Sequence, residues 1–137
     1  MREILFRGRR TESEKWVEGG LIIYSDGDCF IACQSDNPNV VVQCAIDAST
    51  VGQYTGLKDK NGKRIFEGDI VCVDDSVWAN NQWEPKQFVC EIVFCEKDAR
   101  FTGIGKQRPR EWLYNWNAKA YEVIGNIFDN PELIGGG

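Results

Sequence analysis

Apolar residues along this chain recur at every second position or in short unbroken runs, and the runs end at glycine, asparagine or aspartate. That period belongs to strands, because successive side chains of an extended backbone point to opposite faces. Arg2 to Arg7 alternates, with Ile4 and Phe6 on one face and Glu3, Leu5 and Arg7 on the other. A half-exposed strand is expected there, with Gly8-Arg9-Arg10 turning away after it. Trp16 to Tyr24 reads as a strand in which Gly19-Gly20 provides a bulge or a close backbone approach. Ser25-Asp26-Gly27-Asp28 then makes a hairpin turn, Cys29 to Cys33 the return strand, and Ser35 to Asn39 another turn. Val40 to Ile46 follows as a strand, its three consecutive valines favouring β structure over helix.

The densest signals lie between Val51 and Val73. Lys60-Asn61-Gly62-Lys63 predicts a two-residue type I′ hairpin turn, since asparagine and glycine tolerate the positive φ it requires. Ile70-Val71-Cys72-Val73 is apolar at every position, which predicts a strand buried on both faces. The next segment, with Asp74-Asp75, Trp78, Asn80-Asn81, Trp83 and Pro85, reads as a loop. Gln87 to Phe94 sets Phe88, Cys90, Ile92 and Phe94 on one face, and a turn at Glu96-Lys97-Asp98 returns the chain through Phe101 to Ile104. Trp112, Tyr114 and Trp116 recur at every second position, as in a strand. Tyr121 to Phe128 is the last long strand, Pro131 starts a helical turn, and Gly135-Gly136-Gly137 frays. Together these segments predict one mainly β domain over residues 1–137, with eight to ten short antiparallel strands in a barrel-like, SH3-like arrangement and little helix.

The stretch QYTGLKDKNGKRIFEGDIV, Gln53 to Val71, resembles the signature of the YopX family, small β-rich proteins carried by phages and prophages. Arg2 to Arg7 is similar to the family's opening strand, and YEVIGNIFDNPELI, Tyr121 to Ile134, is similar to its closing motif in order and spacing. The likeness spans the chain and departs mainly between Ser76 and Lys119 and at Gly8-Arg9-Arg10. It implies an uncharacterised phage or prophage accessory protein, a non-enzymatic module that binds another protein or assembles with itself. It carries over no catalytic residue.

Composition narrows the chemistry further. The 137 residues suit one domain, and no apolar run approaches the length of a bilayer span. Met1-Arg2-Glu3 lacks the apolar core of a secretory signal, so the cytoplasm is the expected compartment. There the six cysteines, Cys29, Cys33, Cys44, Cys72, Cys90 and Cys95, are expected to be reduced. Their spacings include no CxxC pair and the chain has no histidine, so no metal site is expected. Missing histidine also removes the Ser-His-Asp and Cys-His arrangements of nucleophilic catalysis. Neither a phosphate loop nor a dinucleotide fingerprint is present, and no cofactor is expected. The charge of −5 weighs against general nucleic-acid binding.

Local exceptions define the candidate sites. Lys106 to Arg110, KQRPR, precedes Trp112, and basic side chains beside aromatics suit single-stranded nucleic acid; Arg108, Arg110 and Trp112 carry that alternative reading. Trp78 and Trp83 could anchor a protein partner. Arg7, Arg9 and Arg10 are close enough to meet a phosphate, but Glu12 and Glu14 follow at once, so a solvated, self-neutralised loop is the simpler reading. Asp26-Gly27-Asp28 lacks the remaining oxygens of a calcium loop. Asp69, Asp74 and Asp75, the only concentrated acids near the signature, read as solvated turn residues. A homo-oligomer is the expected assembly, with Arg2 to Arg7 as the sheet edge through which it forms.

Overall fold

The computed structural model describes residues 3–74, 77–84, 87–105, 111–112 and 120–134. These divide into two compact units, Met1–Gly56 and Leu57–Gly137. The fold is all-β, in antiparallel sheets that are not closed into a barrel. No helix among the described residues is long and apolar enough to cross a membrane.

In the first unit the strands are β1 (Phe6–Arg9), β2 (Trp16–Ile23), β3 (Cys29–Gln34), β4 (Val41–Ile46) and β5 (Gly52–Lys58), hydrogen-bonded in the order β4-β3-β2-β1-β5. One face packs Ile31, Cys44 and Ile46 with Phe6, Val17, Leu21, Cys33 and Val51. Period-2 alternation puts these residues together: Ile31 is paired with both Leu21 and Cys44, and Cys29 with both Ile23 and Ile46. The first strand is a correction to the expectation from sequence. Phe6 and Arg7 pair with Gly19 and Glu18 on one side and with Gln53 and Gly52 on the other, so β1 is an interior strand. Nor does the chain turn away at Gly8-Arg9-Arg10. Gly8 stays in the strand, paired with Val17, and a Cβ there would collide with the side chain of Ile46; Arg10 goes on to form an isolated bridge with Ile46. Gly19 supplies the expected close approach, since a Cβ would strike the Ala32 carbonyl oxygen, whereas Gly20 faces open space.

The second unit takes in the end of β5, then β6 (Arg64–Phe66), β7 (Asp69–Asp74), β8 (Val77–Ala79), β9 (Gln82–Glu84), β10 (Gln87–Cys95), β11 (Arg100–Ile104), β12 (Glu111–Trp112) and β13 (Tyr121–Asn126). Its main sheet runs β12-β11-β10-β7-β13. As the apolar run predicts, Ile70, Val71 and Val73 are buried, although Cys72 remains partly exposed. Val71 and Val73 pair with Cys90 and Phe88 and join Ile65, Ile92 and Tyr121 in the core. Phe94 leaves the pattern and is exposed, its ring set edge-on to Phe101. The expected helical turn forms as a 3-10 turn, Pro131–Ile134.

Residues 77–84 correct the loop reading. They form a β-hairpin in which Trp78 stands opposite Trp83, closed by Asn80 and Asn81 at φ of 54° and 65°. Two consecutive positive φ values are what a type I′ turn needs, so the paired asparagines were the signal for it.

Candidate functional site: the outer edge of β4

The signature builds a turn before it builds anything else. A hairpin between β5 and β6 forms as predicted, but only Gly62 takes a positive φ, +81°. Asp59 N–H donates to the Lys63 carbonyl and Gly62 N–H to the Asp59 carbonyl, which is a type I turn followed by a left-handed glycine. The Asp59 side chain explains the choice. Its Oδ1 accepts N–H groups from Asn61 and Lys63, both at 2.9 Å, and its Oδ2 accepts Val123 N–H at 2.9 Å. Burial, the largest single influence, pushes this carboxyl up, but the three N–H donors and the Lys63 charge together hold it below the ordinary aspartate range.

Asp69 is likewise no solvated turn residue. It is buried and accepts Phe66 N–H at 2.8 Å across the turn that Gly68 completes at φ +91°. The signature's buried acids thus hold backbone in place. Asp74, at the end of β7, is exposed, and Asp75 lies outside the described residues.

The arginines near the start have three different environments. Arg7 is buried, its guanidinium 4.9 Å from the centroid of the Trp16 ring, a cation–π geometry. Arg9 N–H donates to Thr50 Oγ1 at 2.9 Å. Arg9 and Arg10 border a surface hollow of about 490 Å³ with Glu12, Glu14 and Asp47. Arg10 also borders a smaller one of about 280 Å³ with Phe30, Gln43 and Ala45. The acids interleaved with the arginines give the larger hollow no single sign. Asp47 is held below the ordinary range chiefly by the Ser49 hydroxyl, which donates to it at 2.8 Å, as it starts the 3-10 turn Ala48–Thr50.

The smaller hollow lies where the outer edge of β4 opens. Thr11 N–H donates to the Ala45 carbonyl and Asp47 N–H to the Arg9 carbonyl, so residues 9–11 cover the last part of β4. Backbone groups of an antiparallel strand alternate between its two sides. Ala45 turns its carbonyl outward, and by alternation so do Gln43 and Val41, on a side where no strand follows among the described residues. Three valines run beside this open part, with Val40, Val41 and Val42 all exposed and Val41 at 65%, followed by the exposed amide of Gln43. Nearby, the Tyr24 hydroxyl donates to Gln43 Oε1 at 3.0 Å and its ring stands edge-on to Phe30.

Sequence reasoning read β4 correctly as a strand but did not place it at an edge, because strand order depends on pairings that local patterns do not encode. Of the residues singled out as a binding surface, Trp83 is 66% exposed on β9. The side chain of Trp78 lies outside the described residues, as do Arg108 and Arg110, and Trp112 is placed only through the backbone of β12. Only one of these five side chains, that of Trp83, thus falls among the described residues. The described residues contain no cluster of three metal-ligating side chains.

No curated protein matches the chain. Among solved structures it is similar to protein EF1440 from Enterococcus faecalis, with 26% identity over 98% of this chain and 99% of that one, at a TM-score of 0.55. It shares its fold with protein yopX from Bacillus subtilis, with 22% identity over 100% and 99% of the two chains and a TM-score of 0.57. The family model described as YopX protein matches residues 5–135, so the chain belongs to the YopX family.

Proposed function

We propose that this protein is a non-enzymatic accessory module of a phage or prophage that assembles with a second copy of itself through the outer edge of β4. The observation that carries the reading is the exposed Val40-Val41-Val42 run beside outward-facing backbone of the strand. An open edge pairs readily with another strand, and natural proteins blunt such edges with charge, proline or a covering segment. Here Val41–Ile46 carries neither charge nor proline, and residues 9–11 cover only its far end.

A second copy suits this edge better than a charged partner. Two β4 strands pairing antiparallel about a twofold axis set valine beside valine, with no like charges opposed, in a chain whose net charge is −5. The covered end limits pairing to the first part of the strand, which makes the interface small and its assembly closed. The buried acids support the non-enzymatic part of the reading, since Asp59 and Asp69 already accept backbone N–H groups.

Sedimentation equilibrium over a micromolar concentration series tests it. The wild type is expected to approach twice 15.6 kDa as concentration rises, and Val41→Lys to weaken association at least about tenfold, by placing like charges across the twofold axis. A wild type that stays monomeric throughout, or a Val41→Lys variant that associates as well as wild type, overturns the proposal.

A further inference from the structure

We propose that Cys33 and Cys44 form a thiol–disulfide exchange site that closes into an intramolecular disulfide when it meets a low-molecular-weight disulfide such as oxidised glutathione. The pair lies on the interior face of the β3–β4 ladder, on diagonal positions: Cys33 is opposite Val42, and Cys44 opposite Ile31. Diagonal side chains on one face of an antiparallel pair are within reach of each other, and here the two sulfurs stand 3.2 Å apart. A disulfide needs about 2.05 Å, so modest side-chain motion brings them to bonding distance.

Accessibility divides the labour between them. Cys33 is partly exposed, whereas Cys44 is buried at 5% exposure. The Cys33 thiolate attacks one sulfur of glutathione disulfide, breaking its S–S bond, and one glutathione leaves as thiolate. Cys44, deprotonated in turn, attacks the Cys33 sulfur of the mixed disulfide and displaces the second glutathione. The protein loses two protons and two electrons, and one glutathione disulfide becomes two glutathione thiols. A low-access thiol beside an accessible one is the arrangement of a resolving cysteine.

The other thiols have different neighbours. Cys29 donates to the Gly27 carbonyl at 3.6 Å, and Cys95 to Asp98 Oδ2 at 3.7 Å. Cys72 and Cys90 project from opposite faces of the β7–β10 ladder, because Cys90 is opposite Val71, whose side chain points away from that of Cys72. The hydrogen bond with Cys44 raises the Cys33 thiol first, burial adds to it, and Arg10 acts in the other direction. The first step should therefore quicken as pH rises towards that raised value, because the thiolate is the nucleophile.

The test equilibrates the folded full-length chain in glutathione buffers from reducing to oxidising, quenches with acid and an alkylating agent, and maps the peptides by mass. The expected product has lost two hydrogen atoms, links the peptides of Cys33 and Cys44, and leaves four of the six cysteines to be alkylated. Cys44→Ser should arrest the reaction with glutathione on Cys33, while Cys72→Ser should leave the wild-type product unchanged. A wild-type protein that stays fully reduced in the most oxidising buffer, keeps glutathione on Cys33, or links other cysteines overturns the proposal. The wild-type map decides the matter even where a variant folds poorly, and it does not depend on whether the chain self-associates.

Discussion

The hairpin at Asp59 and the outer edge of β4 dispose of their polar groups in opposite ways. At Asp59 a buried carboxylate accepts three backbone N–H groups, from Asn61, Lys63 and Val123, and so ties the signature turn to β13. At β4 the backbone of Val41 and Gln43 faces outward beside exposed valines, with no neighbouring strand among the described residues. One region uses a charge to satisfy its own backbone, and the other turns backbone groups outward. The most recognisable stretch of the sequence is thus a device of folding, and the candidate for function is an uncharged strand with no motif. Separate substitutions in the two regions should therefore separate stability from assembly.

Asp59→Ala should have the largest effect. It removes the acceptor for three N–H groups, and hydrogen bonds to a charged group contribute roughly 1.5–3 kcal/mol each, so a loss of at least about 3 kcal/mol is expected even if water reaches some of the donors. Urea unfolding at concentrations low enough to keep the chain monomeric would measure it, and there Val41→Lys should leave the midpoint nearly unmoved. The loss also depends on pH in a definite direction. The folded carboxyl titrates below the unfolded one, near 3.9, so its stabilisation is complete above that value and disappears as pH falls through the folded one. Wild type and Asp59→Ala should differ most near neutrality and converge in acid. A constant difference down to acid unfolding would remove the charge from the explanation.

Much of this frame was legible in the residues, for reasons that the two regions make plain. The hairpins at Gly27 and Gly62, the buried run from Ile70 and the strands through Cys29 and Val41 depend on interactions within a few residues, and local pattern encodes those. Turn type at Asp59 was misread because the deciding acceptor is a side chain whose third donor, Val123, lies 64 residues away. Strand order was misread for the same reason. Arg2 to Arg7 has the charges of an edge, yet β1 is interior because β5, more than forty residues on, supplies its second partner. The asparagine pair at Asn80-Asn81 encodes its turn locally, since both residues tolerate the positive φ they adopt. Of the five candidate binding residues, chosen for their basic and aromatic chemistry, only the side chain of Trp83 falls among the described residues.

Gly8→Ala should rank second and act on the β4 side of the comparison. The new methyl group would meet the side chain of Ile46, the residue that Arg10 bridges where the end of β4 is covered. Overpacking of this kind typically costs about 1–3 kcal/mol, and Ile46→Ala in the same chain should relieve the collision and restore part of the loss. A double variant no better than the sum of the two singles would show that the approach of β1 to β4 is not what Gly8 serves. Hydrogen exchange at Thr11 and Asp47, whose N–H groups close this end of β4, would report the local opening directly.

The smallest effect is expected at Glu91, a carboxylate in an apolar setting with none of the compensation seen at Asp59. It sits on β10 between Ile70 on β7 and Ile104 on β11, and burial first, then the like charge of Glu67, pushes its carboxyl above the ordinary glutamate range. A raised carboxyl opposes folding when charged, so this contribution is most favourable in acid and fades as pH rises through the folded value, the reverse of Asp59. Glu91→Gln keeps the shape and removes the charge. It should leave stability near pH 4 almost unchanged and raise it at neutral pH by less than about 1 kcal/mol, the residual exposure of the side chain screening the rest. Thermal unfolding of both proteins at the two pH values is enough to check the sign. If Glu91→Gln were less stable at neutrality, the charge would have a favourable partner, and Glu91 would belong with Asp59 among the acids that hold the fold together.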